Sequence, residues 1–158
     1  MLKYVDTKIV FQEVPNEISL AINISNCPCN CPGCHSAYLA EDIGKELTEE
    51  ELNILIASNE GISCVCFMGG DRESYEIKHM ASYIRNIYPN LKIAWYSGKD
   101  TLPSSIELNI HNFDYIKLGP YIEELGPLNS KYTNQRFYEI NNGKLIDKTY
   151  LFWNKELN

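Results

Sequence analysis

Four of the chain's six cysteines fall in one run, Cys27-Pro28-Cys29-Asn30-Cys31-Pro32-Gly33-Cys34-His35. They lie too close together for all to pair as unstrained disulfides. The spacing that matters is Cys27-x3-Cys31-x2-Cys34, with Cys29 as an extra thiol. Three thiolates on a loop shaped by proline and glycine can converge on an iron–sulfur cluster. A 4Fe–4S cluster that only carries electrons takes four protein ligands. Three would leave one iron open, as a catalytic zinc site keeps one position for substrate. The pattern therefore points to a cluster that does chemistry. Its rival is a structural zinc site in which His35 completes a set of three thiolates and one imidazole. Structural zinc usually draws on two separated ligand pairs, and no second pair at that spacing follows. Cys64 and Cys66 sit one residue apart, and on a strand they would share a face as small buried hydrophobes.

Other residues offer less. Gly69-Gly70-Asp71 closes an apolar run and, read alone, is a turn. Trp95-Tyr96-Ser97-Gly98 ends another, and its aromatics read as core. His79 falls on the polar face of a helix and His111 in a loop, both as solvated side chains. No Ser/His/Asp arrangement, carboxylate pair or G-x-x-x-x-G-K phosphate loop stands out.

The elements that must position the cysteines follow from periodicity. Ile9 to Val14 and Ser19 to Ser25 read as two strands about a turn at Pro15-Asn16-Glu17. Leu20, Ile22 and Ile24 alternate in the second strand, which runs straight into the cysteine loop. Ligands at the carboxyl end of a strand are where α/β proteins usually place their sites. Thr48-Glu49-Glu50-Glu51 is a capping box flanked by a Leu47/Leu52 staple, and the helix it opens ends near Gly61. Ile62 to Met68 reads as a buried parallel strand. A second helix carries Ile77, Met80, Ala81, Ile84 and Ile87 at helical spacing and stops at Pro89. Leu91 to Tyr96 is the next strand, a short helix or turn spans Pro103 to Leu108, and Phe113 to Leu118 is a further strand. Arg136 to Ile140 and Leu145 to Phe152 read as a hairpin about Asn142-Gly143. The alternation implies α/β architecture with a mostly parallel sheet, as an open partial barrel.

The chain has 158 residues, a length that fits one domain over 1–158, and its composition is globular, with 44% hydrophobic and 22% charged residues. The net charge of −7, without a Lys/Arg cluster, argues against nucleic acid. No apolar run approaches the roughly 20 residues of a membrane span, and Met1 to Asp6 lacks a signal peptide's apolar core. Six cysteines without an export signal point to reduced thiols, metal ligation and a cytoplasmic location.

The cysteine motif after a first strand resembles that of radical S-adenosylmethionine (SAM) enzymes. The run Cys-Asn-Cys-Pro-Gly-Cys-His, with Gly69-Gly70-Asp71 and Asn134-Gln135-Arg136, is similar to the activating proteins of anaerobic (class III) ribonucleotide reductase. The likeness extends from about Asn23 to Trp153. It implies a radical-SAM-type partial β/α barrel in which Cys27, Cys31 and Cys34 hold a 4Fe–4S cluster whose open iron chelates SAM. It places Gly33, Cys34 and His35 near SAM, with His35 by the adenine. Gly69, Gly70 and Asp71 fall at the methionine end, where glycines let main-chain groups approach the ammonium, and Ser97 falls near the ribose. Family members often carry proline after the acid, where Arg72 stands here. Gln135 and Arg136 read as structural. The implied activity is reductive SAM cleavage, giving a 5′-deoxyadenosyl radical that takes hydrogen from a glycine of the partner. The implied partners are that glycyl radical enzyme and a flavodoxin- or ferredoxin-like electron donor. An incomplete barrel, too short for the roughly 250 residues of a closed one, leaves a side open for another protein's loop. Activation of another glycyl radical enzyme of the pyruvate formate-lyase type, a small-molecule radical reaction, and a non-catalytic zinc or electron-transfer module are the alternatives.

Overall fold

A computed structural model describes residues 1–29, 31–34 and 36–157, with side-chain surroundings as far as Trp153. Strand β1 (Lys3–Val10) pairs antiparallel with β2 (Ser19–Ile24), and β3 (Lys45–Glu46) adds two residues to the outer side of β1. Three crossovers follow: α1 (Glu49–Ala57) to β4 (Cys64–Met68), α2 (Ser74–Ile87) to β5 (Lys92–Tyr96), and α3 (Ser104–Glu107) to β6 (Tyr115–Leu118). The hairpin β7 (Arg136–Asn141) and β8 (Lys144–Asp147) then adds to β6. The result is one mixed sheet in the order β3-β1-β2-β4-β5-β6-β7-β8, open, with β3 and β8 as its edges. The four central strands, β2, β4, β5 and β6, are parallel.

Strands buried on both faces read as near-continuous apolar runs, and Cys64-Val65-Cys66-Phe67 is buried at every position. One face packs Leu20, Ile22, Val65, Phe67, Ile93 and Trp95 against Leu52, Ile77, Ala81 and Ile84 of the helices. The other face carries a smaller cluster of Cys64, Cys66, Ala94 and Phe137, sealed by Val14 and by Phe152.

The helix signals act as expected, with two refinements. The Thr48 hydroxyl caps α1 by accepting from the Glu51 amide at 3.1 Å. The Glu51 carboxylate does not return to Thr48 to close the box. It accepts from the Tyr4 hydroxyl at 2.6 Å and pairs with Lys45 at 2.9 Å, tying α1 to β1 and β3. Ile87, assigned to the buried face of α2, is 54% exposed at the last turn.

Two elements differ from the sequence reading. The first strand occupies Lys3–Val10, not Ile9 to Val14. Val14 drew the strand reading, but it is a fully buried plug on the inner face of the sheet. The turn at 15–17 stands, with Glu17 N–H donating to Val14 O at 3.2 Å and Asn16 left-handed at φ 69°. Beyond β8 the chain turns into a 3₁₀ helix, Thr149–Leu157, where strand was expected as far as Phe152. Asp147 forces the change: its carboxylate accepts from both the amide and the hydroxyl of Thr149, starting a helical turn. His79 is exposed and pairs with Glu49 at 2.8 Å. Among the described residues no helix is long and apolar enough to cross a membrane.

Candidate functional site

The cysteine loop leaves the end of β2 and is tied at its base. Asn26 N–H donates to Glu41 O at 2.9 Å and Cys27 N–H to Leu39 O at 2.8 Å, while the Leu39 side chain is buried. Within the loop, Cys31-Pro32-Gly33-Cys34 closes a turn through Cys34 N–H to Cys31 O at 3.2 Å. Proline at its second position and Gly33 at φ 74° are what a type II turn demands.

Cys27, Cys29, Cys31 and Cys34 all line one cavity of about 190 Å³ at the carboxyl ends of the parallel strands. Its far wall comes from those strand ends: Met68 closing β4 with Gly69 after it, Tyr96 closing β5 with Ser97 after it, and Lys117 in β6. Inner-face positions of successive strands therefore meet the loop that β2 delivers. A hollow of about 360 Å³ elsewhere, between Gly61 and Pro89, brings together only one charged residue, Glu60. The thiols are at the smaller cavity.

Asp71 organises the crest of this wall. Its carboxylate accepts from the Ser97 hydroxyl, from Gly98 N–H at 3.0 Å and from the Cys29 thiol at 3.7 Å. The Ser97 hydroxyl also accepts from Lys99 N–H at 3.1 Å, so β4 and β5 are latched together at their ends. Gly69 and Gly70 adopt φ 109° and 92°, conformations that side chains oppose. The Gly69 carbonyl accepts from the buried Trp95 indole at 2.7 Å, which fixes its direction and leaves a second lone pair. Arg72 donates to Asn26 O at 3.1 Å and clips this turn to the base of the cysteine loop.

Of the residues singled out from sequence, Cys27, Cys31, Cys34, Gly69, Asp71 and Ser97 line the cavity. Gly33 lies on the exposed side of the loop, near Glu123 and Tyr121. Gly70 faces away, toward Ile77 and Leu2. His35, assigned to the adenine, lies outside the described residues. Arg136 pairs with Asp147 at 3.6 Å across the hairpin, a structural role, while Gln135 is buried against the cavity.

Sequence reasoning missed Lys117. It is 8% exposed, lines the cavity, donates to Gly119 O at 3.0 Å, and sits 5.5 Å from the centre of the Tyr96 ring. Burial pushes its ammonium below the ordinary range, while Asp71 and the thiols of Cys31, Cys29 and Cys27 pull the other way. The signal was available: a charged residue inside the apolar strand Tyr115-Ile116-Lys117-Leu118 needs a reason. Burial raises the Cys29 thiol to about 12, with Asp71, Cys27 and Cys31 adding to the shift. Cys64 and Cys66 are fully buried in the inner-face core, as expected of small hydrophobes.

Cys27, Cys31 and Cys34 line a shared cavity. That arrangement fits a group of several irons, each bound by its own thiolate. A family model described as "4Fe-4S single cluster domain" matches residues 18–140. The chain belongs to this 4Fe-4S single cluster family. No curated protein and no solved structure matches it. The matched segment of this iron–sulfur domain begins just before β2 and ends within β7, so it includes the cysteine loop and every strand that walls the cavity.

Proposed function

We propose that this iron–sulfur protein is a radical SAM activase that installs a glycyl radical on an anaerobic ribonucleotide reductase. The observation that carries the reading is the meeting of three spaced cysteines with Gly69 and Asp71 of the Gly-Gly-Asp crest at one cavity. In this reading the open sheet is a partial barrel of the radical SAM type, and the chain is a single domain. Cys27, Cys31 and Cys34 would hold the 4Fe–4S cluster with three protein thiolates. The chemistry the cluster would supply when bound is one-electron reductive cleavage of SAM to methionine and a 5′-deoxyadenosyl radical.

The chain's own residues position and shelter that chemistry. The Gly69 carbonyl, directed by Trp95, offers an acceptor to the ammonium of SAM. Asp71 and Ser97 hold the ends of β4 and β5 in one arrangement, so the wall is preorganised before the ligand arrives. Lys117 sets a cation against the anionic thiolates. The loop glycine of the partner enters over the open sheet, and a flavodoxin- or ferredoxin-like protein supplies the electron.

Anaerobic electron paramagnetic resonance of the reconstituted, reduced protein tests this. The expected result is a reduced 4Fe–4S signal that changes on adding SAM, with 5′-deoxyadenosine released. Adding the reductase then yields a glycyl radical doublet. A cluster signal indifferent to SAM makes the protein an electron carrier, and retained zinc without iron makes it a structural module.

A further inference from the structure

The three-ligand scheme leaves Cys29 without a role, yet its thiol lines the same cavity as the other three. It reaches both ways across that space. Toward the loop it shares the cavity with Cys27 and Cys31, and their charge acts on it. Toward the strand ends it donates to Asp71 at 3.7 Å. It also crowds Gly98, where a Cβ would stand 2.6 Å from its Sγ. Cys29 therefore lies between the cluster cysteines and the crest that SAM is proposed to occupy. With Cys29 in this position, a side chain at position 98 would clash with its thiol.

We propose that Cys29 is a fourth, exchangeable ligand of the cluster, bound to the otherwise open iron until SAM displaces it. The proposal rests on the cluster reading above. On capping, Cys29 releases its proton to water and forms one Fe–S bond, and no electron moves. On displacement that bond breaks, the amino and carboxylate groups of SAM bind the iron, and the Cys29 thiolate takes a proton from water. The thiol then returns to its hydrogen bond with Asp71. A cluster with four thiolates has no vacant iron for small oxidants to reach, so the resting protein is guarded until its cosubstrate binds.

The test is Mössbauer spectroscopy of the full chain reconstituted with ⁵⁷Fe in the absence of SAM, with cyanide as a small ligand for an open iron. Wild type is expected to show no distinct iron site and no change in its reduced resonance signal on adding cyanide. Cys29→Ala is expected to show one distinct iron and a signal that shifts with cyanide. Cys29→Ser keeps a hydroxyl for Asp71 but is a poor ligand for iron, so it should behave like Cys29→Ala and separates ligation from packing. Wild type and both variants alike, each with a distinct iron, would overturn the proposal while leaving the cluster reading intact. Failure of wild type to assemble iron would overturn both.

Discussion

Lys117 shows how much one buried charge can govern. An ammonium held at 8% exposure beside four thiols offsets the negative charge that a thiolate-bound cluster brings. Lys117→Met keeps the length of the side chain and removes the charge. We expect the variant's cluster to be harder to reduce, with the midpoint moved to more negative potential in a titration followed by electron paramagnetic resonance. An unchanged midpoint would confine Lys117 to packing on Tyr96. The buried thiols of the opposite end make a different prediction. Burial raises Cys64 to about 12 and Cys66 well above its ordinary range. In the unfolded chain both release protons near the usual value of about 8.5. The folded state therefore holds protons that the unfolded state has lost, and stability falls as pH rises from about 8.5 toward 12. Melting temperatures measured from about pH 8 to 9, below the main range of tyrosine ionisation, should decline, and less steeply in Cys64→Ala/Cys66→Ala. At this scale the cysteine motif was legible because spacing in the chain is spacing on a loop. Lys117 left a signal as a charge inside an apolar strand, but what it faces was not legible, because that depends on the register of β6 against β5.

At the scale of elements, caps and turns wrote themselves into the sequence and long-range packing did not. Thr48 was readable as a cap, and its removal has a local cost. Thr48→Ala should destabilise the fold by about 1 kcal/mol in denaturant melts without moving the cavity residues. The Glu51 partner was not readable, since Tyr4 and Lys45 reach it only once β1 and β3 pair. Val14 misled for the same reason. An isolated apolar residue after a plausible strand looks like its continuation, and only the assembled inner face shows it as a plug. The Pro32-Gly33 turn, the Gly69-Gly70 bend and the Pro89 stop depend on main-chain conformation alone, and these were legible.

At the scale of the molecule, the strand and helix signals led correctly to α/β architecture, but the sheet read as mostly parallel is mixed, because the flanking strands add four antiparallel pairings to the three parallel ones at its centre. Those signals did not reveal how the inner face is finished. That face is sealed by Val14 from the β1–β2 connection and by Phe152 from the final helix, while Tyr96 donates its hydroxyl to the Glu13 carbonyl. The cavity is assembled from equally distant stretches, with thiols between residues 27 and 34 and walls running on to Gln135. This has a consequence for biosynthesis. A chain emerging from the ribosome presents its thiols early, naked and ready to bind any metal, while most of the wall is still untranslated. Loading iron at that stage would mean loading an unwalled loop. A cluster seated in the walled cavity therefore has to wait until the chain is made as far as Gln135.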